Sequence, residues 1–141
     1  NVSQTKNSIG YVEYAYAKQN KLAVGLMSNR AGKFVGPGDA SFKAAASNAD
    51  WSKAPGMYLL LTDQAGDASW PVTGASFILM HKLQEKPENA KAVLEFFDWC
   101  FNNGSKLAND LDYVPVPEPV VKLIKAEWRK SLRDSSGKPI Y

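Results

Sequence analysis

The chain has 141 residues, 45% hydrophobic and 22% charged, a globular mix of the size of one ordinary domain. That composition excludes intrinsic disorder, which needs few apolar residues and a high net charge, and a collagen-like repeat. Seventeen Lys and Arg against fourteen Asp and Glu leave +3, divided as +2 over residues 1–69 and +1 over residues 70–141. No basic stripe marks a nucleic-acid partner, and none is expected. Cys100 is the only cysteine, so no internal disulfide can form; the count suits the cytosol or a bacterial periplasm. Apolar runs such as Phe77 to Met80 are far shorter than a bilayer requires. The opening Asn1-Val2-Ser3 lacks a starting Met and a signal peptide's basic-then-apolar pattern, so a mature, trimmed or excised product is expected.

In chain order, Ile9–Val12 reads as a short buried strand, followed by a helix over Tyr14–Gln19, rich in good helix formers. Leu22, Val24 and Leu26 alternate over Lys21–Ser28, which predicts a strand with one buried face. Asn29–Lys33 is a hairpin turn, Phe34-Val35 returns, and Gly36-Pro37-Gly38 stops the strand. Asp39 is placed to cap a short helix burying Phe42, Ala45 and Ala46. Asp50–Ser69 is loop except for the apolar Met57–Leu61. After Trp70-Pro71, the run Ser76–Met80 predicts a fully buried strand by its continuous apolarity. Pro87 suits a first helical turn, and Ala90, Val93, Leu94, Phe97, Cys100 and Phe101 follow helical spacing up to a C-cap at Gly104. Ser105–Asp110 reads as helix and Asp112–Pro117 as extended chain. A last helix starts near Glu118 with Val120, Val121, Ile124 and Trp128 on one face. Alternating helices and strands give an α/β or α+β class.

No arrangement in the sequence carries an enzyme signature. His81, the only histidine, and Cys100 would have to form any nucleophile–base pair, yet Cys100 lies on an apolar helix face where a thiol acts as a small hydrophobe. One His and one Cys cannot make a zinc site, and Asp63–Asp67 lacks the alternating ligands and final glutamate of a calcium loop. No metal or cofactor is expected. Asp110 and Asp112 read as turn residues, with a small hydrolase acting on phosphoesters as the alternative they would support together with His81. Neither phosphate-cradling glycine motif occurs, and Ser136-Gly137-Lys138 has no helix after it. Tyr11, Tyr14, Tyr16, Trp51 and Trp70 could stack on a sugar or base, but filling cores is the commoner use of aromatics. Lys122, Lys125, Arg129, Lys130 and Arg133 are diluted by Glu118, Glu127 and Asp134 into a solvated face. Asn103-Gly104-Ser105 matches a glycosylation sequon by letter only.

Longer segments say more. Ile9-Gly10-Tyr11-Val12-Glu13-Tyr14-Ala15-Tyr16-Ala17-Lys18-Gln19-Asn20 resembles a characteristic stretch of the periplasmic phosphate-binding proteins of bacterial ABC importers. Ala49–Lys53, Trp70–Thr73 with Phe77–Leu79, Phe96–Trp99, Ala108–Tyr113 and Asp134–Tyr141 resemble the same family, in order along the chain. Ala54–Gln64 is the poorest match. The resemblance implies a two-lobed, type II-like periplasmic-binding-protein fold of about twice this length. Of it, the chain would be the C-terminal part: residues 1–69 from the end of the second lobe, and residues 70–141 returning into the first, crossing near Trp70-Pro71. The family holds dehydrated phosphate by backbone N–H groups at helix starts, hydroxyls, one Arg and one Asp, which suits an oxyanion. The Asp accepts a hydrogen bond only from a protonated phosphate oxygen, a means of rejecting sulfate. Its Thr-Phe-Pro, Gly-Ser-Gly-Gly and Arg-x-Asp-Gly-Ser-Gly-Thr-Ser segments do not occur here, so the phosphate ligands would lie upstream of Asn1 and no site residue is carried over. The resemblance implies a non-enzymatic protein of a Gram-negative periplasm, with inorganic phosphate and a membrane ABC permease as partners of the intact parent. Apolar faces left uncovered in such a piece would allow self-association or recruit a partner, making it an interaction module.

Overall fold

The computed structural model describes residues 1–141 as a mixed structure in which helix far outweighs strand. The helices are α1 (Tyr14–Gln19), α2 (Asp39–Asn48), α3 (Pro87–Asn103), α4 (Ser105–Asp110) and α5 (Glu118–Ser131). The strands are two residues each: β1 (Met27–Ser28), β2 (Phe34–Val35), β3 (Leu83–Gln84) and β4 (Arg133–Asp134). Single 3-10 turns cover Val2–Gln4, Trp51–Lys53 and Pro55–Met57.

The long helices fall where the periodicity puts them. Pro87 opens α3 at a position whose N–H would have no partner anyway, and Glu88 in the first turn complements the helix dipole. Ala90 and Leu94 are its buried residues, while Val93 stays on the exposed side. The helix ends where the Gly104 N–H donates to the Cys100 carbonyl at 2.7 Å. A Cβ at Gly104 would sit 2.6 Å from that oxygen, so the turn from α3 into α4 excludes any larger residue. In α5, Glu118 stands in the first turn and Arg129 and Lys130 in the last, again matching the dipole, and Val120 is buried. One expectation shifts by a residue. Gly38, not Asp39, occupies the cap of α2; Asp39 is its first helical residue and makes no side-chain cap bond.

Strands β1 and β2 form an antiparallel hairpin with Met27 opposite Val35 and Ser28 opposite Phe34. Gly32, at φ 73°, supplies the left-handed turn residue. Strands β3 and β4 pair in parallel, Leu83 with Arg133 and Gln84 with Asp134. An antiparallel bridge joins Thr62 to Val72. Ala49, Trp51, Leu61 and Val120 form the main core cluster, with Ala46, Met57, Leu59 and Ile124 packed against it. The core therefore sits between α2, the Trp51–Met57 turns and α5.

Three expectations about strands are corrected. Ile9–Val12 and Ser76–Met80 are not buried strands, and the Lys21–Ser28 strand shrinks to its last two residues with Val24 and Leu26 exposed. Ile9, Tyr11 and Leu79 are almost fully solvated, and neither Ile9–Val12 nor Gly74–Met80 makes a backbone–backbone hydrogen bond. The physical reason is shared. A buried strand needs a hydrogen-bonding neighbour at its edges and cover on its faces, and these 141 residues supply neither to those runs. The accessible surface is 10010 Å², against about 7,200 Å² for an ordinary compact monomer of this mass. Roughly 2,800 Å² is thus exposed in excess, much of it apolar.

Candidate functional site

The residues singled out by chemistry are scattered and internally occupied. His81 is exposed and engages only through its carbonyl, which accepts from Gln84 Nε2 at 2.5 Å; Cys100 is half-buried in α3 with no polar partner. Asp110 Oδ2 pairs with Lys106 Nζ and Asp112 Oδ1 with Lys18 Nζ, both at 2.5 Å, so the two carboxylates face different partners. No group of three or more His, Cys, Asp or Glu converges to hold a metal ion. Ser136-Gly137-Lys138 is a turn wrapped around Asp134, whose Oδ1 accepts from the Ser136 N–H (2.9 Å), Ser136 Oγ (2.6 Å) and the Lys138 N–H (2.9 Å). The Ser136 hydroxyl, then the Lys138 amide, hold the Asp134 carboxyl below its ordinary range. The donors that might cradle a phosphate there already hold a carboxylate of the chain itself.

The aromatic residues also form no common platform. Tyr14, Phe42 and Trp70 meet edge to face, with centroids 5.3 and 6.5 Å apart, packing α1 against α2 and the Trp70 segment. Trp51 is buried and its Nε1 donates to the Ala46 carbonyl at 2.7 Å, whereas Tyr11 projects freely into solvent. The basic residues of α5 are largely spoken for: Lys122 pairs with Glu118, Lys125 with Asp98, and Arg129 lies 5.3 Å above the Tyr141 ring. Arg133 donates to the Arg129 and Leu132 carbonyls. Asn103 of the sequon donates to the Trp99 carbonyl within α3.

A shallow groove of about 370 Å³ lies between the Trp51–Met57 turns and α5. Its charged residues are Lys53, Glu127 and Lys130, and its one hydroxyl, Ser52 Oγ, is engaged by Asp50 at 2.5 Å. Lys53 is paired with Asp50 as well. An Arg, Asp and hydroxyl set for a dehydrated oxyanion does not assemble there.

Three polar constellations escape sequence reasoning. Buried Asn29 ties the hairpin to the Gly66–Ser69 loop: Nδ2 donates to the carbonyls of Gly66, Asp67 and Ser69, while Oδ1 accepts from the Ala31 and Lys33 amides. Lys18–Asp112 and Glu13–Tyr113 connect the α1 region to the segment after α4; the Asp112 hydrogen bond raises the Lys18 pKa, and the Glu13 hydrogen bond raises that of Tyr113. Asp98 gathers Lys125 (2.5 Å), Tyr141 Oη (2.8 Å) and Asn102 (3.0 Å). An Asn in a hairpin turn was the only such signal legible locally; the other partners are brought together by folding alone.

No protein-family model matches the chain. Curated proteins do. The phosphate-binding protein PstS of Pasteurella multocida (strain Pm70) is 56% identical over 140 residues, which is 99% of this chain and 41% of that protein. The Haemophilus influenzae PstS is 54% identical over 132 residues, covering 94% of the chain and 40% of the relative. PstS of Xylella fastidiosa (strain Temecula1) is 50% identical over 132 residues, with 94% and 36% covered. Along 94–99% of its length the chain is similar to PstS phosphate-binding proteins. It spans about two-fifths of the length of the PstS relatives it matches. Those relatives are named for binding phosphate, and the three residues of the hydrolase alternative, His81, Asp110 and Asp112, lie with separate partners in this structure.

Proposed function

We propose that this chain is the C-terminal portion of a solute-binding protein that captures inorganic phosphate in a Gram-negative periplasm and hands it to a membrane ABC permease. The observation that carries the reading is identity of 50–56% along nearly the whole chain to proteins named for phosphate binding. The phosphate ligands are assigned to the part of such a protein that precedes Asn1. That assignment rests on the family's Thr-Phe-Pro, Gly-Ser-Gly-Gly and Arg-x-Asp-Gly-Ser-Gly-Thr-Ser segments, none of which occurs in this sequence. Residues 1–69 are read as the end of the second lobe and residues 70–141 as the return into the first. The parent would close on its ligand by hinge motion. Its remaining residues would cover the solvated runs Ile9–Val12 and Ser76–Met80. The same uncovered apolar faces give the isolated chain a route to self-association.

Calorimetric titration tests the reading. The 141-residue chain should give no saturable heat with inorganic phosphate, while a PstS protein of full length carrying this sequence should bind it. Saturable, tight binding by the chain alone would overturn the placement of the ligands; failure of the full-length protein would overturn the phosphate reading.

A further inference from the structure

Asn103-Gly104 is the only Asn-Gly pair in the chain, and it falls on the turn from α3 into α4. An asparagine before glycine is thermolabile, because a residue without a Cβ leaves its nitrogen open to attack the preceding side-chain carbonyl. Here both reacting groups are committed elsewhere. The Gly104 N–H donates to the Cys100 carbonyl at 2.7 Å, and Asn103 Nδ2 donates to the Trp99 carbonyl at 3.1 Å. Both bonds close the last turn of α3, so they do not depend on residues outside this chain. A Cβ at Gly104 would stand 2.6 Å from the Cys100 oxygen, so the turn demands the very residue that makes Asn103 labile. The Asn103 side chain is otherwise exposed, within reach of water.

We infer that Asn103 is a deamidation site, kept latent by the last turn of α3 and released whenever that turn frays. On opening, the Gly104 nitrogen gives up its proton and bonds to Asn103 Cγ. The Cγ–Nδ2 bond breaks, and ammonia leaves carrying that proton. The product is a cyclic succinimide, which water opens at either carbonyl to give aspartate or isoaspartate. The net change is one water consumed and one ammonia released. Either product puts a carboxylate at the C-terminal end of α3, where the helix dipole is already negative. Isoaspartate also adds a methylene to the main chain, so the Gly104 N–H no longer meets the Cys100 carbonyl. Aged molecules therefore carry a loosened α3–α4 junction. The inference rests on this turn and not on phosphate capture.

Mass spectrometry of the tryptic segment Ala92–Lys106 tests this on the 141-residue chain held at mildly alkaline pH. Conversion at Asn103 should be on the order of tenfold faster in urea than in the folded chain, and should yield isoaspartate together with aspartate. Asn102→Gly loosens the same turn without altering a reacting group. Asn102 is exposed and its side chain donates only to Asp98, so the substitution removes no core contact. It should speed conversion of the folded chain about two- to fivefold and leave the rate in urea unchanged. Hydrogen exchange at the Gly104 amide should rise in step, since it needs the same hydrogen bond to open. Equal rates in the folded chain and in urea, aspartate without isoaspartate, or no acceleration in folded Asn102→Gly would each overturn the proposal.

Discussion

Asn29 shows how one side chain can hold two loops at once. Its amide is 6% exposed and spends both ends on main-chain groups, three carbonyls on the Gly66–Ser69 side and two amides of its own turn. Ser69, fully buried beside it, donates to the Ala65 carbonyl and accepts from Asn48. Removing the amide would leave buried carbonyls without donors, at about 2–3 kcal/mol. Asn29→Ala should therefore lower the urea midpoint of unfolding clearly. Asn29→Asp should be at least as damaging, because a carboxylate would face three carbonyl oxygens in place of an N–H. An aspartate variant close to wild type would show that the donor side of the amide does not matter. Sequence inspection placed Asn29 correctly in the hairpin turn, since turn chemistry is local. Its partners lie 37 to 40 residues downstream in a stretch without periodicity, so the knot itself was illegible.

At the scale of elements, α3 and α5 were legible because an amphipathic stripe and a terminal Pro or Gly are encoded within one run of residues. What fastens them is not. Asp98 on α3 meets Lys125 on α5 and the Tyr141 hydroxyl, while Trp128 of α5 packs on Phe101 (5.9 Å) and Tyr141 (5.1 Å). The Lys125 ammonium, and then the Tyr141 hydroxyl, hold the Asp98 carboxyl below its ordinary value. Burial, and then the hydrogen bond to Asp98, raises the Tyr141 phenol. The signs define a window. The folded carboxyl binds its proton less readily than an unfolded one, so its contribution is present above an ordinary pKa of 3.8 and is lost as pH falls through the lower folded value. The folded phenol keeps its proton more firmly, so its contribution is present below an ordinary pKa of 10.0 and is lost as pH rises through the higher folded value. Melting temperature measured against pH should show a plateau with both shoulders. Asp98→Asn should flatten the acidic shoulder, and Tyr141→Phe the alkaline one. An unchanged acidic shoulder in Asp98→Asn would place the acid sensitivity elsewhere.

For the whole molecule, the strands expose the limit of reading a single chain. A continuous apolar run such as Ser76–Met80 states a demand for burial, and the sequence reports that demand faithfully. Whether it is met depends on neighbours, and the chain covers only 36–41% of its PstS relatives. Amide hydrogen exchange should locate the consequence. Ile9–Val12, with no backbone acceptors for its N–H groups, should exchange without protection at any concentration, while the helical amides of α3 around Leu94 should be the slowest. Slow exchange at Ile9–Val12 would mean that a partner absent from these contacts covers it. The Lys18–Asp112 pair carries a kinetic consequence as well. Its residues are 94 apart, whereas Lys43–Asp39, Lys106–Asp110 and Lys122–Glu118 close within one helical turn. Helical turns form in well under a microsecond, but a contact across most of the chain must wait for a large loop to close. The Lys18–Asp112 link is therefore among the last contacts to form, after the shorter-range packing of Tyr14 on Phe42 has already set α1 against α2.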